Sequence, residues 1–564
     1  MFLPTTQEEL HRLGWKALDV ILVTGDSYID SPYIGVAVIG KVLVDAGFRV
    51  GIIGQPDINT DHDITRLGNP KLFWGVTGGC IDSMVANYTA LKKKRRSDDY
   101  TAGGKNIRRP DRAIIVYSNL IRRYFKDTSP IVLGGVEASM RRISHYDYWS
   151  DSIRRSILFD AKADYLIYGM GERSTIELAS KLRDGQSVEN IKGMCYITKE
   201  PKRDYIMLPS HDKVARDNRA LIDMFHTFYR NNDPVTAKGL CQQQDTRYLI
   251  QNPPAPYLNE QELDHVHGLD YERNLHSYHS KDGQVKALET IRFAVTTHRG
   301  CYGECNFCSI GVHQGRTVRC RSEQSIIEEV KLLTRHTEFK GNIHDVGGPT
   351  ANMYGFECPR KATKGNCNDK RCVYPKVCRT LKPNHSRQTD LLKRIMDIPR
   401  VKRVFVASGI RYDLVLADKQ HGSEYLRQLV QHHVSGQLKL APEHSEDSVL
   451  ALMGKPKQKD LIDFRRNFLH YTKRTGKKQF LTYYLIAAHP GCTEQHMRDL
   501  KKFTGRELKM NPEQVQVFTP LPSTYSALMY HTEVNPFTGD PVFVEKSLAG
   551  KQRQKKIIIE KRRK

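Results

Sequence analysis

The chain has 564 residues, with 88 Lys and Arg against 63 Asp and Glu, a formal net charge of +25. Hydrophobic residues make up 39% and charged residues 27%, a globular balance at a length that calls for two or three cores. No run of about 20 apolar residues can span a membrane, and the start Met-Phe-Leu-Pro-Thr-Thr lacks the basic and apolar regions of a secretory signal. The positive excess points to anionic partners, an anionic substrate or RNA. Eight of the 12 Cys fall from Cys301 to Cys378, which reads as metal chemistry in a reducing cytoplasm rather than as a disulfide framework.

Residues 1–195 alternate strand and helix. A short apolar strand is expected at 18–24, closed by Gly25-Asp26. A helix over 34–46 puts Val38, Val42 and Ala46 on one face and stops at Gly47. Further strands are expected at 48–53, 73–77, 113–116, 131–134 and 163–169, with a helix at 174–182. Glycine turns follow two of them, Gly134-Gly135 and Gly169-x-Gly171-Glu172. This spacing predicts an α/β, Rossmann-like, doubly wound domain with its ligand loops at the strands' carboxyl ends. Gly51-x-x-Gly54 is too short for a dinucleotide fingerprint. Residues 196–288 read as a connector, stiffened at Asn252-Pro-Pro-Ala-Pro256, with a short helix starting at 259–263. His265, His267, His276 and His279 have no converging spacing and read as surface residues.

Residues 289–545 repeat strand then loop at 291–296, 342–346, 401–407, 436–440, 479–486 and 515–518. Six such units suit a partial (β/α)6 TIM-type barrel with function on the loops after the strands. The first loop carries Cys301-x3-Cys305-x2-Cys308. One loop cannot close an all-thiolate tetrahedron with three Cys. An iron–sulfur cube suits the spacing better, with three irons held by thiolates and a fourth left open beside the ring of Phe307. Ser322-Glu323 then caps a helix. Cys358, Cys367, Cys372 and Cys378 form a second group in polar, basic surroundings, open to zinc or to an auxiliary cluster. Residues 546–564 are a basic tail, which with 92–96 reads equally well as a solvated charge run.

The cysteine loop resembles the signature of the radical S-adenosylmethionine (radical SAM) enzymes. The order of Thr297-His-Arg-Gly-Cys301, Gly347-Gly-Pro-Thr-Ala-Asn-Met-Tyr-Gly355, Leu440-Ala-Pro-Glu-His444 and Ala488-His-Pro-Gly491 resembles the YgiQ-type family along nearly the whole chain. The resemblance implies a [4Fe–4S] cluster on Cys301, Cys305 and Cys308, with SAM on the open iron. It places SAM contacts at Gly347, Gly348, Ser408, Arg411 and Glu443, beside Phe307. Reductive cleavage of SAM to methionine and a 5′-deoxyadenosyl radical is the implied chemistry, on a substrate the resemblance does not name. Residues 1–195 resemble the B12-binding-type domain, but Tyr28 stands where a cobalt-ligating His would be, so cobalamin is in doubt. A nucleic-acid-binding protein with a structural or sensory cluster is the alternative, and an RNA-modifying radical SAM enzyme merges the two. A flavodoxin- or ferredoxin-type electron donor is expected, docking on Arg316, Arg319 and Arg321.

Overall fold

The computed structural model describes residues 1–512 and 514–560. It divides into two compact units. One takes Met1–Tyr257 and His265–Arg292, the other Leu258–Asp264 and the chain from Phe293 on.

The first unit is built on β1 (Val20–Thr24), α1 (Gly35–Asp45), β2 (Val50–Gly54), β3 (Phe73–Thr77), α2 (Ala113–Tyr124), β4 (Ile131–Gly134), α3 (Gly135–Met140), β5 (Tyr165–Ile167) and α4 (Glu172–Arg183). The five strands are parallel in the order β2-β1-β3-β4-β5. Every residue of β1 and β2 is buried, as expected of strands covered on both faces. The order reverses between β1 and β3, the place where open α/β sheets hold ligands.

Residues 113–116, expected as a strand, are the first turn of α2. Four apolar residues carry no period of their own, and Tyr117, Leu120 and Ile121, buried with Ala113 and Ile114, set the helical one. The connector expected at 196–288 is also corrected. Four strands, β6 (Met194–Thr198), β7 (Ile206–Leu208), β8 (Leu240–Gln244) and β9 (Arg247–Gln251), extend the sheet as β5-β6-β9-β8-β7. The junctions of β6 with β5 and β9, and of β9 with β8, are antiparallel. The sheet is therefore mixed and nine-stranded. Hydropathy hides this half because its buried side chains include amides with partners. Gln244 accepts from Ser156 N at 2.9 Å, and Gln251 accepts from Arg142 Nε at 3.1 Å. The four histidines are not a surface set either. His267, His276 and His279 are buried, and His276 Nε2 lies 3.2 Å from Glu9.

The second unit contains β10 (Ala294–Thr296), α5 (Glu323–Leu333), β11 (Asn342–Ile343), β12 (Asp345–Gly347), α6 (Pro359–Lys364), β13 (Arg403–Val404), β14 (Gln437–Glu443), α7 (Asp447–Met453), β15 (Phe480–Ala487), β16 (Gln516–Val517) and α8 (Leu548–Ile559). Strand β10 runs parallel to β12, and β11 to β13. Val346 N donates to Phe405 O at 3.0 Å, a parallel bridge joins Ile410 to Leu440, and β14, β15 and β16 are parallel neighbours. The strands thus succeed one another in chain order, resembling a partial radical SAM (β/α)6 barrel. Ser322 caps α5 through its Oγ. The basic tail is also structural in part: in α8, Lys551 is buried and donates to Tyr530 OH at 2.7 Å, and Gln554 accepts from Ala488 N at 2.9 Å. Residues 561–564 lie outside the described residues.

Candidate functional site

The loops after β10, β12, β13, β14 and β15 carry the residues singled out from the sequence. Gly300 has φ +79°, and a Cβ there would stand 2.1 Å from Thr317 O, so the chain can turn into the cysteine loop only at a glycine. Cys308 N donates to Cys305 O at 3.0 Å, closing a tight turn. Between these thiols Asn306 is held on three sides. Its N donates to Met453 O at 2.9 Å, its Nδ2 to Leu452 O at 2.8 Å, and its O accepts from Ser526 N at 2.9 Å. The end of α7 therefore fixes the loop.

The sulfurs of Cys301 and Cys305 converge. A Cβ on Gly303 would lie 3.2 Å from Cys301 Sγ, 3.6 Å from Cys305 Sγ and 3.5 Å from Arg411 Nη1. Cys301 Sγ also lies 3.3 Å from Gly303 N and from Thr350 Oγ1. Arg411 Nη1 lies 3.7 Å from Cys305 Sγ. Burial raises the Cys301 thiol and pushes the Cys308 thiol up to about 12. Both therefore stay protonated at neutral pH. Among the described residues no three His, Cys, Asp or Glu side chains are placed to hold a single metal ion.

Arg411 is the centre of the polar shell. It pairs with Asp413 at 2.6 and 2.8 Å, and burial is outweighed by that carboxylate, so its guanidinium stays charged. Its backbone is clamped by Asn352, which accepts from Arg411 N at 2.8 Å and donates to Arg411 O at 3.0 Å. Behind Asn352 stands His385 at 3.2 Å, and behind that Asp418 at 2.8 Å. All four residues of this chain are buried. Glu443, at φ +68°, faces Lys455 at 3.7 Å, and burial raises its carboxyl against that ammonium. Glu304 and Ala488 also hold φ near +50° to +60°, so three loops carry non-glycine residues in the left-handed region, a strain that concentrates at functional sites.

The other expected residues fall as follows. Gly347 pairs with Thr296 at the end of β12. A Cβ on Gly348 would meet the His298 ring at 2.6 Å and its carbonyl at 2.7 Å. The Ser408 hydroxyl donates to Asp345, which also accepts from Ser408 N at 3.1 Å. Phe307 stands edge-on to His489 at 6.2 Å. Sequence reading missed Asn352, Asp413, Thr350 and Lys455. The signal for Asn352 and Thr350 was their place inside Gly347–Gly355; nothing marked Asp413 or Lys455 as site residues.

The basic segment after the cysteine loop is not a free surface. Arg316 and Arg321 are buried; Arg316 pairs with Glu304 at 3.4 Å, Arg321 with Glu329, and Arg319 with Glu357 at 3.3 Å. The arginines expected to form a docking face are paired instead, Arg316 and Arg321 inside the fold and Arg319 with the exposed Glu357. Of the second cysteine group, Cys358 starts α6 and Cys372 is buried, its thiol pushed up to about 12 by burial. Lys361 and Arg371, from the same segment, reach Glu304 Oε1 at 3.4 Å and Glu304 O at 3.1 Å. The segment thus braces the cysteine loop.

Cobalamin does not fit the first unit. Tyr28 is fully buried, with its OH accepting from Leu3 N at 3.1 Å. The crevice between β1 and β3 is filled by Arg109, which reaches Gly78 O at 2.5 Å, Asp26 at 2.8 Å and Asp98 at 3.0 Å.

A family description, Radical SAM N-terminal, matches residues 2–294. A UPF0313 protein of Fusobacterium nucleatum is 56% identical over 563 residues, covering 100% of this chain and 99% of its own. One of Thermotoga maritima is 48% identical over 566 residues, with the same coverage. Among solved structures the chain is similar in fold to the radical SAM methyltransferase TsrM of Kitasatospora setae, with tryptophan substrate and the SAM analog aza-SAM bound. The TM-score is 0.51 at 14% identity, over 90% of this chain and 74% of that one. The same protein with cobalamin and a [4Fe-4S] cluster bound also gives 0.51, over 91% and 78%.

Proposed function

Because the chain belongs to the UPF0313 family of radical SAM enzymes, the YgiQ-type family that its motifs resemble, we propose that Cys301, Cys305 and Cys308 hold a [4Fe–4S] cluster on which SAM is cleaved reductively. The observation that carries this reading is the convergence of Cys301, Cys305 and Arg411 on the space bounded by Gly303. Three thiols on one loop leave a tetrahedral zinc site one ligand short, which suits a cluster better. When bound, the cluster and SAM supply one-electron chemistry ending in a 5′-deoxyadenosyl radical.

The residues of this chain prepare that chemistry. Arg411 keeps a positive charge beside Cys305, where it offsets thiolate charge and offers a guanidinium to the SAM carboxylate. Gly347 and Gly348 leave the backbone at the end of β12 open to close approach. Glu443, raised by burial, is placed to accept from a ligand's ammonium or hydroxyl groups. Ser408 is committed to Asp345 and acts by shaping the loop after β13. Phe307 and His489 form an apolar wall. Reducing equivalents come from an external flavodoxin- or ferredoxin-type donor, and the substrate is an anionic molecule or RNA.

The test is anaerobic reconstitution with iron and sulfide, then dithionite and SAM, with 5′-deoxyadenosine read by mass spectrometry. Wild type yields the nucleoside; each Cys→Ala variant at 301, 305 or 308 loses the cluster absorbance and the product together. A triple variant that still forms 5′-deoxyadenosine ends the reading.

A further inference from the structure

The first unit closes the crevice between β1 and β3 but opens one strand away. A cleft of about 290 Å³ lies over the carboxyl ends of β1 and β2, with Ser27 and Gln55 on its floor. That size is near the lower end for small-molecule pockets, and the position is the ligand-bearing edge of an open α/β sheet.

The floor is built, and one group in it lacks a partner. Ser27 Oγ donates to Gln55 Oε1 at 2.9 Å, and Gln55 Nε2 donates to Thr101 Oγ1 at 2.6 Å. The exception is His279, 6% exposed, whose Nε2 has no hydrogen-bond partner. That nitrogen lies 2.8 Å from where a Cβ of Gly54 would be. Burial and the nearby Arg66 hold the imidazole neutral, down to about pH 3. That nitrogen is enclosed, so His279 shapes the floor and leaves the polar contacts of the cleft to other groups.

The mouth is basic. Lys105, Arg108 and Lys281 line it, all exposed. Of the two carboxylates there, Asp63 is taken by Arg66 at 2.9 Å and by Tyr278 OH at 2.9 Å. Asp282 faces Arg108 at 3.5 Å across an open surface, a weak pairing. Lys105 has no ion-pair partner among the described residues, and Lys281 lies 4.8 Å from the Tyr278 ring centroid.

The geometry points to a binding site for a small polar anion, its phosphate or carboxylate group at Lys105, Arg108 and Lys281 and its other end over the floor formed by Ser27 and Gln55. It is separate from the cysteine loop and does not depend on SAM cleavage.

The test is calorimetric titration of the full chain with ribose 5-phosphate, inorganic phosphate, citrate and neutral ribose, each against sodium chloride of matched ionic strength. Saturable binding of ribose 5-phosphate or citrate is expected, and none of ribose. Ribose 5-phosphate against citrate distinguishes phosphate from carboxylate as the preferred group. The exposed triple variant K105E/R108E/K281E should weaken binding at least tenfold. No saturable response to either anion beyond that of chloride, or an unchanged response in the triple variant, overturns the site.

Discussion

Both units end their parallel strands in loops rich in glycine and charge, yet they use that edge in opposite ways. In the first unit Asp26, Asp98 and Arg109 pair with one another at the β1–β3 crevice, and Asp82 pairs with Arg141 beside the buried Glu137. In the second unit the strand ends add thiols to paired charges: Arg411 is held by Asp413 and Glu443 faces Lys455, while Arg411 Nη1 reaches toward the Cys305 sulfur. An edge made only of charges that satisfy one another is structural. An edge that sets thiols beside its paired charges is available for chemistry. The lesson is that strand order locates a candidate crevice, but the pairing of the residues in it decides whether the crevice is open.

Removing Arg109 should break this contrast most strongly. Arg109→Ala leaves Asp26 and Asp98 buried without a cation, so it should cost about 3–5 kcal/mol, measured by urea unfolding with a probe in the first unit. A loss under about 1 kcal/mol would mean the network is not what closes the crevice. In the second unit the matching change is functional. Arg411→Ala should lower 5′-deoxyadenosine formation by about 10–100-fold, the range for groups that tune a metal site from outside its ligands. Asn352→Ala should follow in the same direction by loosening the arginine's backbone.

Acid sharpens the comparison. Burial holds His298, His433 and His489 to about 4 and His444 to about 3 in the second unit. In the first unit, His145 is held to about 4 and His279 to about 3. Unfolded, each takes a proton near pH 6.5; folded, each stays neutral to far lower pH. The stability they contribute is whole above 6.5 and is lost as the pH falls below it. At pH 5.5 each costs about 1.4 kcal/mol. Hydrogen exchange at pH 7.5 and 5.5 should therefore show the second unit losing more protection than the first; equal losses would contradict this. The smallest effect is local: Ser322→Ala removes the cap of α5 and should cost about 1 kcal/mol.

Much of this was legible in the sequence. Apolar strands closed by glycine marked β1, β3 and β4, because burial on two faces leaves a contiguous apolar signature, and apolar runs ending in loops rich in Gly, Pro or polar residues marked the six strand positions of the second unit. The cysteine loop announced itself by spacing. What stayed hidden had a common cause, polar groups satisfied inside the fold. The glutamines of β8 and β9 looked like linker. Arg316 and Arg321 looked like surface because Glu304 and Glu329 are partners that only tertiary structure reveals. Lys551 looked like tail, although Tyr530 receives it. Charge in a sequence reports composition, whereas exposure depends on the partner.

The hold on Asn306 has a consequence for the order in which the protein is made. All three thiols leave the ribosome early in the second unit, but the backbone that shapes their loop leans on Leu452, 146 positions later, and on Ser526 beyond that. A nascent chain that has just exposed Cys308 carries the ligands without the mould. Insertion of the proposed cluster would therefore belong to the nearly finished polypeptide, and truncations that end between residues 310 and 450 should keep the thiols reactive toward alkylating agents while failing to retain iron.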